Sequence, residues 1–212
     1  MGKFRSLLAG AALLGGVVGH ANANIVFAFS ESGGNVLMQS SGVLNTANLV
    51  SVPFATFWSG RGVETNGVPQ SDIMGDTLIG SLNRSFAFHA GTNTSPWVGN
   101  MFTISNFSWA LTGGNTQFAT YWSSDGFRTP GIGVGSEDLV GNLWTPNVSW
   151  SASGTFASRG LTTGTYTIAD SQTAESITIQ IGATAVPEPA TLALLGLGLA
   201  GLGFARRKKR QA

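Results

Sequence analysis

Between its two ends the chain repeats one pattern, large apolar residues at every second position. Ile177, Ile179 and Ile181 alternate with Ser176, Thr178 and Gln180, and Ile25, Phe27 and Phe29 do the same near the start. A period of two places such residues on one face of a strand, and no window between the ends carries the 3.6-residue period of an amphipathic helix. A chain patterned this way buries its apolar side chains only by pairing strands and covering the resulting sheets. The expected fold is therefore all-β, an antiparallel β-sandwich or jelly-roll-like body over residues 24–185.

Local signals place the strands. Gly33-Gly34 marks a hairpin turn after the first strand, and residues 35–40 return with Val36 and Met38 on one face. Further strands are expected at 73–79, 85–89, 117–122, 143–144, 148–150, 155–157, 165–169 and 176–181. Residues 101–110 read as a longer strand with a bulge at Ser105-Asn106, followed by a turn at Gly113-Gly114-Asn115. Residues 54–69 read as a long loop or an irregular strand pair. In 125–141, Gly126, Gly131, Gly133, Gly135 and Gly141 argue against regular structure and make that stretch the candidate functional loop.

Composition narrows the function classes. Only 10% of the 212 residues are charged, against about 25% in an average globular chain. Cysteine is absent, so the core must hold the body together without cross-links, and thiolate metal sites and cysteine nucleophiles are excluded. Residues 24–185 hold four arginines, no lysine and nine acids, a net charge of −5. An acidic body argues against nucleic acid as a partner. The basic residues that lift the whole chain to +1 lie mostly at its ends.

Those ends read as addresses. Lys3 and Arg5 precede an apolar stretch over residues 7–18, and Ala21-Asn22-Ala23 offers the small residues a signal peptidase reads. Residues 1–23 are expected to form a signal helix removed after Ala23, with Ala21 and Ala23 as the cleavage determinants. At the other end, Pro187-Glu188-Pro189 is followed by an apolar run over 190–205 interrupted only by Thr191, and then by Arg206, Arg207, Lys208, Lys209 and Arg210. As a helix the run reaches about 24 Å, short of the ~30 Å hydrocarbon core. The long stems of the basic residues can reach the interface and close the gap. Five successive cations place that end on the cytoplasmic side. Residues 186–212 are thus read as a transmembrane helix with its flanking signals.

Pro187-Glu188-Pro189, a Gly- and Leu-rich span and an Arg-rich end together resemble the PEP-CTERM sorting signal of Gram-negative bacteria, also described as an ice-binding protein C-terminal domain. The resemblance implies that Pro187, Glu188 and Pro189 are recognised by an exosortase, which removes the tail from an inner-membrane-anchored precursor. It also implies a destination at the cell surface or in an exopolysaccharide matrix, with exopolysaccharide as a partner. Glu31 to Met38 and Ser41 to Asn45 are similar to the opening of other PEP-CTERM proteins, which adds no activity. The alternative reading of the tail is a proline-rich stalk before an ordinary single-span anchor.

Candidate chemistry is sparse. His89 is the one histidine outside the leader, which rules out a multi-histidine metal site there, and no Gly-x-Ser-x-Gly occurs. Glu31, Glu64, Glu137 and Asp138 are candidates for the carboxylate pair of a glycan hydrolase by residue type alone. Asp125, Glu137 and Asp138 flank the glycine-rich stretch and are candidate calcium ligands, without an Asp-x-Asp-x-Asp-Gly pattern. Six tryptophans, at 58, 97, 109, 122, 144 and 150, are either sandwich core or a sugar-stacking platform. Ice binding would need a regular threonine array, and Thr165-x-Thr167 does not recur as a periodic repeat. The reading is a non-catalytic, structural or adhesive exported protein without a cofactor, the alternatives being a carbohydrate-binding module, a carboxylate-based hydrolase or an ice-binding protein.

Overall fold

The computed structural model describes residues 24–52, 60–65, 71–75, 82–98, 101–114, 117–122 and 129–182. Among the described residues, fifteen strands follow in chain order. They are β1 (Asn24–Ser32), β2 (Asn35–Gly42), β3 (Leu44–Asn45), β4 (Val50–Ser51), β5 (Gly62–Thr65), β6 (Ser71–Gly75), β7 (Arg84–Ala87) and β8 (Ala110–Gly114). After these come β9 (Phe118–Trp122), β10 (Pro130–Val134), β11 (Leu139–Val140), β12 (Leu143–Trp144), β13 (Val148–Ser153), β14 (Gly164–Ala169) and β15 (Ser176–Ile181). The expected signal helix and transmembrane helix lie outside the described residues.

Two six-stranded sheets form the body, one in the order β14-β15-β1-β2-β13-β8 and the other β4-β7-β10-β9-β6-β5, with a small sheet β11-β12-β3 beside them. The large sheets face each other. Phe27 of β1 stacks on Phe118 of β9 with ring centroids 4.8 Å apart, and Phe118 also stacks on Trp150 of β13 at 6.1 Å. The alternations read from the sequence are the inner face of the first sheet: Ile25, Phe27, Phe29, Val36, Met38, Trp150, Ile177 and Ile179 are fully buried. Burying one such side chain contributes about 1.5–3 kcal/mol. Gly33 and Gly34 form the two-residue loop of the β1–β2 hairpin, with φ of 57° and 75°, the paired positive φ of a type I′ turn.

Two features depart from the antiparallel, jelly-roll-like expectation. β1 and β15 run parallel, with Ile25 opposite Ile177 and Phe29 opposite Ile181. A parallel pair needs a long crossover, and here nearly the whole body supplies it. The hairpins β1–β2 and β14–β15 also each stay within one sheet, so these successive strands do not swap sheets as in two wound Greek keys.

Three local expectations are corrected. Residues 101–110 do not form a strand; the segment crosses between elements on single bridges, Phe102 to Leu161, Asn106 to Val63 and Ser108 to Arg61, and pairs regularly only from Ala110, as β8, which runs on through Gly113 and Gly114. Two of its aromatic residues still find the core, since Phe102 and Trp109 both pack edge-on against Phe29, while Phe107 is exposed. Residues 155–157 lead into a 3-10 turn at Ala157–Arg159 instead of a strand, the Ser158 and Thr155 side chains bonding each other's backbone N–H.

The stretch 125–141 is not one long loop. β10 lies inside it, between β7 and β9 in the middle of the second sheet, and every one of its residues is buried. Ile132 and Val134 point to the core side, in register with Thr120 and Phe118. Gly131 and Gly133 alternate with them and share the other side with Ala87, Ser85 and Ala119. The buried Leu82 lies over that small-residue stripe, its Cδ1 3.5 Å from where a Cβ on Gly133 would stand. The glycines make room for a covering side chain within a strand.

Candidate functional site

Among the described residues, a buried polar cluster joins the loop between β14 and β15 to two distant segments. Asp170, its side chain fully buried, accepts the backbone N–H of His89 at 2.7 Å and those of Gln172 and Thr173 at 2.8 Å. Nδ1 of His89 lies 3.1 Å from both carboxylate oxygens. Because an ionised carboxylate only accepts, Nδ1 carries the proton and Nε2 is the acceptor in the neutral ring. Burial alone would raise the Asp170 pKa, but the hydrogen bonds from His89, Gln172 and Thr173 outweigh it and hold the group below the ordinary aspartate range. Five residues on, buried Glu175 accepts the backbone N–H of Asn45 at 2.9 Å and the Asn48 amide at 2.8 Å. The two carboxylates pin one loop to the ends of β7 and β3, contacts 81 and more residues apart in sequence that local pattern does not reveal.

Asp170 orients His89 as the acid of a Ser-His-Asp triad orients its base. Among the described residues no hydroxyl hydrogen-bonds the ring: Ser171 Oγ donates to the Ala90 carbonyl at 3.0 Å, and Thr92 Oγ1 receives the Ser171 N–H. The pair acts on the loop's conformation.

The other candidate acids are dispersed. Glu31 receives the backbone N–H of Phe156 and closes the end of the β1–β2 hairpin over the 3-10 turn. Glu137 and Asp138 sit side by side on the 3-10 turn Ser136–Asp138. Burial, with Glu137 adding repulsion, raises the Asp138 pKa, and the backbone N–H of Gln117 opposes the shift. Glu64 lies on β5 with Asp72 at the facing position on β6, and burial raises its pKa. Among the described residues no three His, Asp or Glu side chains gather in a way that could hold a metal ion. Asp125, the third candidate calcium ligand, lies outside them, as do Ala21, Ala23, Pro187, Glu188, Pro189 and the five cations from Arg206 to Arg210.

The tryptophans divide more clearly. Trp97, Trp109, Trp144 and Trp150 are at most 2% exposed, so these four are core and offer no stacking platform. Trp97 donates its indole N–H to the Tyr166 carbonyl at 3.1 Å. The indole N–H groups of Trp109, Trp144 and Trp150 have no partner among the described residues, and Trp109 and Trp150 pack on each other at 6.1 Å.

The functional assignment comes from the tail. Residues 185–210 match the family description PEP-CTERM protein-sorting motif. The chain carries a PEP-CTERM sorting motif. The match spans Pro187-Glu188-Pro189, the apolar run and the basic cluster. A PEP-CTERM motif marks a protein for export by way of a membrane-anchored precursor that an exosortase processes. No curated protein and no solved structure matches the chain. Among the described residues no helix is long and apolar enough to cross a membrane, and the apolar run of the PEP-CTERM motif lies outside them.

Proposed function

We propose that this protein is a non-catalytic structural or adhesive component of the cell surface or exopolysaccharide matrix, delivered there as a β-sandwich cargo by its PEP-CTERM tail. The observation that carries the reading is the motif at residues 185–210. Signal peptidase removes residues 1–23 after Ala23, the apolar run holds the precursor in the inner membrane with the five cations inside, and the exosortase reads Pro187, Glu188 and Pro189. Buried tryptophans, dispersed acids and a core without cross-links suit a durable body that presents surface and does no chemistry.

The test separates recognition from retention. Glu188→Gln removes one charge and leaves the span, both prolines and the five cations in place. If the exosortase reads the carboxylate, a charge-assisted hydrogen bond of about 1.5–3 kcal/mol is lost and processing slows by roughly tenfold or more. The variant then accumulates uncleaved in the membrane fraction, whereas normal processing would contradict recognition through Glu188. Replacing Arg206 to Arg210 by Ser should instead weaken orientation and retention.

The hydrolase reading has one observation behind it, the facing positions of Glu64 and Asp72. Release of reducing ends from a matrix glycan, abolished in Glu64→Gln, would promote it.

A further inference from the structure

The outer face of the first sheet has an unusual composition. Across all six strands, one row of cross-strand neighbours runs Thr165, Gln180, Ala28, Gln39, Ser149, Gly113. No outward position on these strands carries an ionisable side chain. The one cation the described residues bring to the margin of the face is Arg159, which is held on the Ser153 carbonyl and hydroxyl at the end of β13. Over β2, β13 and β8 the face is hollowed into a trough of about 340 Å³, lined by Asn35, Leu37, Gln39, Thr112, Ser149 and Ser151 above the buried Met38 and Trp150. A bulge makes the hollow: between Ser149 and Trp150 the pairing steps from Gly113 to Leu111, leaving Thr112 as the extra residue. Gly113 contributes by lacking a Cβ, which would stand 3.2 Å from Ser149 Oγ.

The polar groups of the trough are uncommitted. Elsewhere in this sheet, outward side chains pair with their neighbours: Thr167 bonds Thr178, and Thr178 bonds Asn24. In the trough only Asn35 is engaged, its amide donating to the Gly33 carbonyl. The side chains of Gln39, Thr112, Ser149 and Ser151 make no hydrogen bond among the described residues. Three hydroxyls and an amide, each both donor and acceptor, thus line a hollow with Leu37 as its apolar patch. That combination matches a ligand bearing neutral hydroxyls on a ring with apolar C–H faces. It lacks the arginine or lysine that would recognise a uronate, sulfate or phosphate. The volume is at the low end of the ~300–1,000 Å³ range of ligand pockets, and the trough lies on an open sheet face, so a polymer can pass through it.

We infer that the β2–β13–β8 face is a subsite for a neutral polysaccharide chain. The inference gives the adhesive reading above its ligand class and rests on that reading for its setting, although its test does not depend on sorting. Full-length protein in mild detergent is run through native gels containing dextran, a soluble β-1,3-glucan or galactomannan, with alginate as the anionic comparison. At least one neutral polymer should retard the protein, and alginate should not. Gln39→Ala with Ser151→Ala should weaken that retardation roughly tenfold, two neutral hydrogen bonds being lost, and Ser149→Arg should abolish it by filling the hollow. Thr165→Ala, on the same face outside the trough, should leave it unchanged, and tryptophan fluorescence checks that each variant is folded. The inference is overturned if no neutral polymer retards the protein, if alginate alone does, or if the trough variants bind as the unaltered chain does. Self-association that disappears in Ser149→Arg would assign the face to a second copy of the chain and overturn it as well. Normal tail processing with failed binding would leave the sorting reading intact.

Discussion

Asp170 holds His89 at two points, through the backbone N–H at 2.7 Å and through Nδ1 at 3.1 Å, across 81 residues of sequence. The folded carboxylate titrates below its ordinary value, so the unfolded chain binds its proton more tightly. Its stabilisation is fully present above the unfolded value of about 3.9 and is lost as pH falls through the lower folded value. Urea unfolding against pH should therefore show an acid limb below about pH 4, shallower in Asp170→Asn. At neutral pH that variant should lose about 3 kcal/mol, since the amide turns its own N–H toward groups that also donate. Unchanged stability at pH 7 would remove the loop-pinning role.

The buried indoles differ in whether their N–H is used. Trp97 bonds the Tyr166 carbonyl, whereas Trp150 has no partner among the described residues. Replacement by Phe removes similar volume at each site, but only Trp97→Phe leaves a carbonyl without its donor. Thermal or urea denaturation should find Trp97→Phe the costlier by about 1 kcal/mol. Trp150→Ala, which opens a cavity beside Phe118, should cost about 3–5 kcal/mol. A reversed order would contradict the hydrogen-bond assignment.

Gly62 and Gly33 both have positive φ, 148° and 57°, and should respond differently to alanine. A Cβ at Gly62 would stand 1.8 Å from the Asn106 carbonyl oxygen, breaking the two-way bridge between Val63 and Asn106. At Gly33 nothing lies within 4 Å, and only the left-handed conformation costs, about 1–2 kcal/mol. Gly62→Ala should lose more than Gly33→Ala, and equal losses would place the crossing segment elsewhere.

What could be read in the sequence was what neighbouring residues decide. The alternations at 25–29, 36–38 and 177–181 and the Gly33-Gly34 turn are short-range, and the tail is a contiguous signal whose parts need no fold to be recognised. Glycine misled at 131 and 133, because a strand covered by Leu82 needs a side without bulk, and from sequence that resembles a loop. Phe102 and Trp109 looked like one strand because apolar residues at mixed parity also suit a crossing segment that enters the core at separate points. The Asp170–His89 and Glu175–Asn45 bonds and the trough join residues from 81 to 130 positions apart, or strands paired in an order the sequence does not state. The low charged fraction was visible as a total, but not the concentration of uncharged polar side chains on one face.

The proposed function makes this β-sandwich a sorted cargo that reaches its destination with both end signals removed. Intact-mass spectrometry of the protein recovered from the surface fraction of its native host tests it most directly. The mature chain should begin at Asn24 and lack the segment beyond about Pro189, with the full-length tail confined to membranes, above all when the exosortase is absent. Surface protein that still carries the apolar run and Arg206 to Arg210 would contradict it.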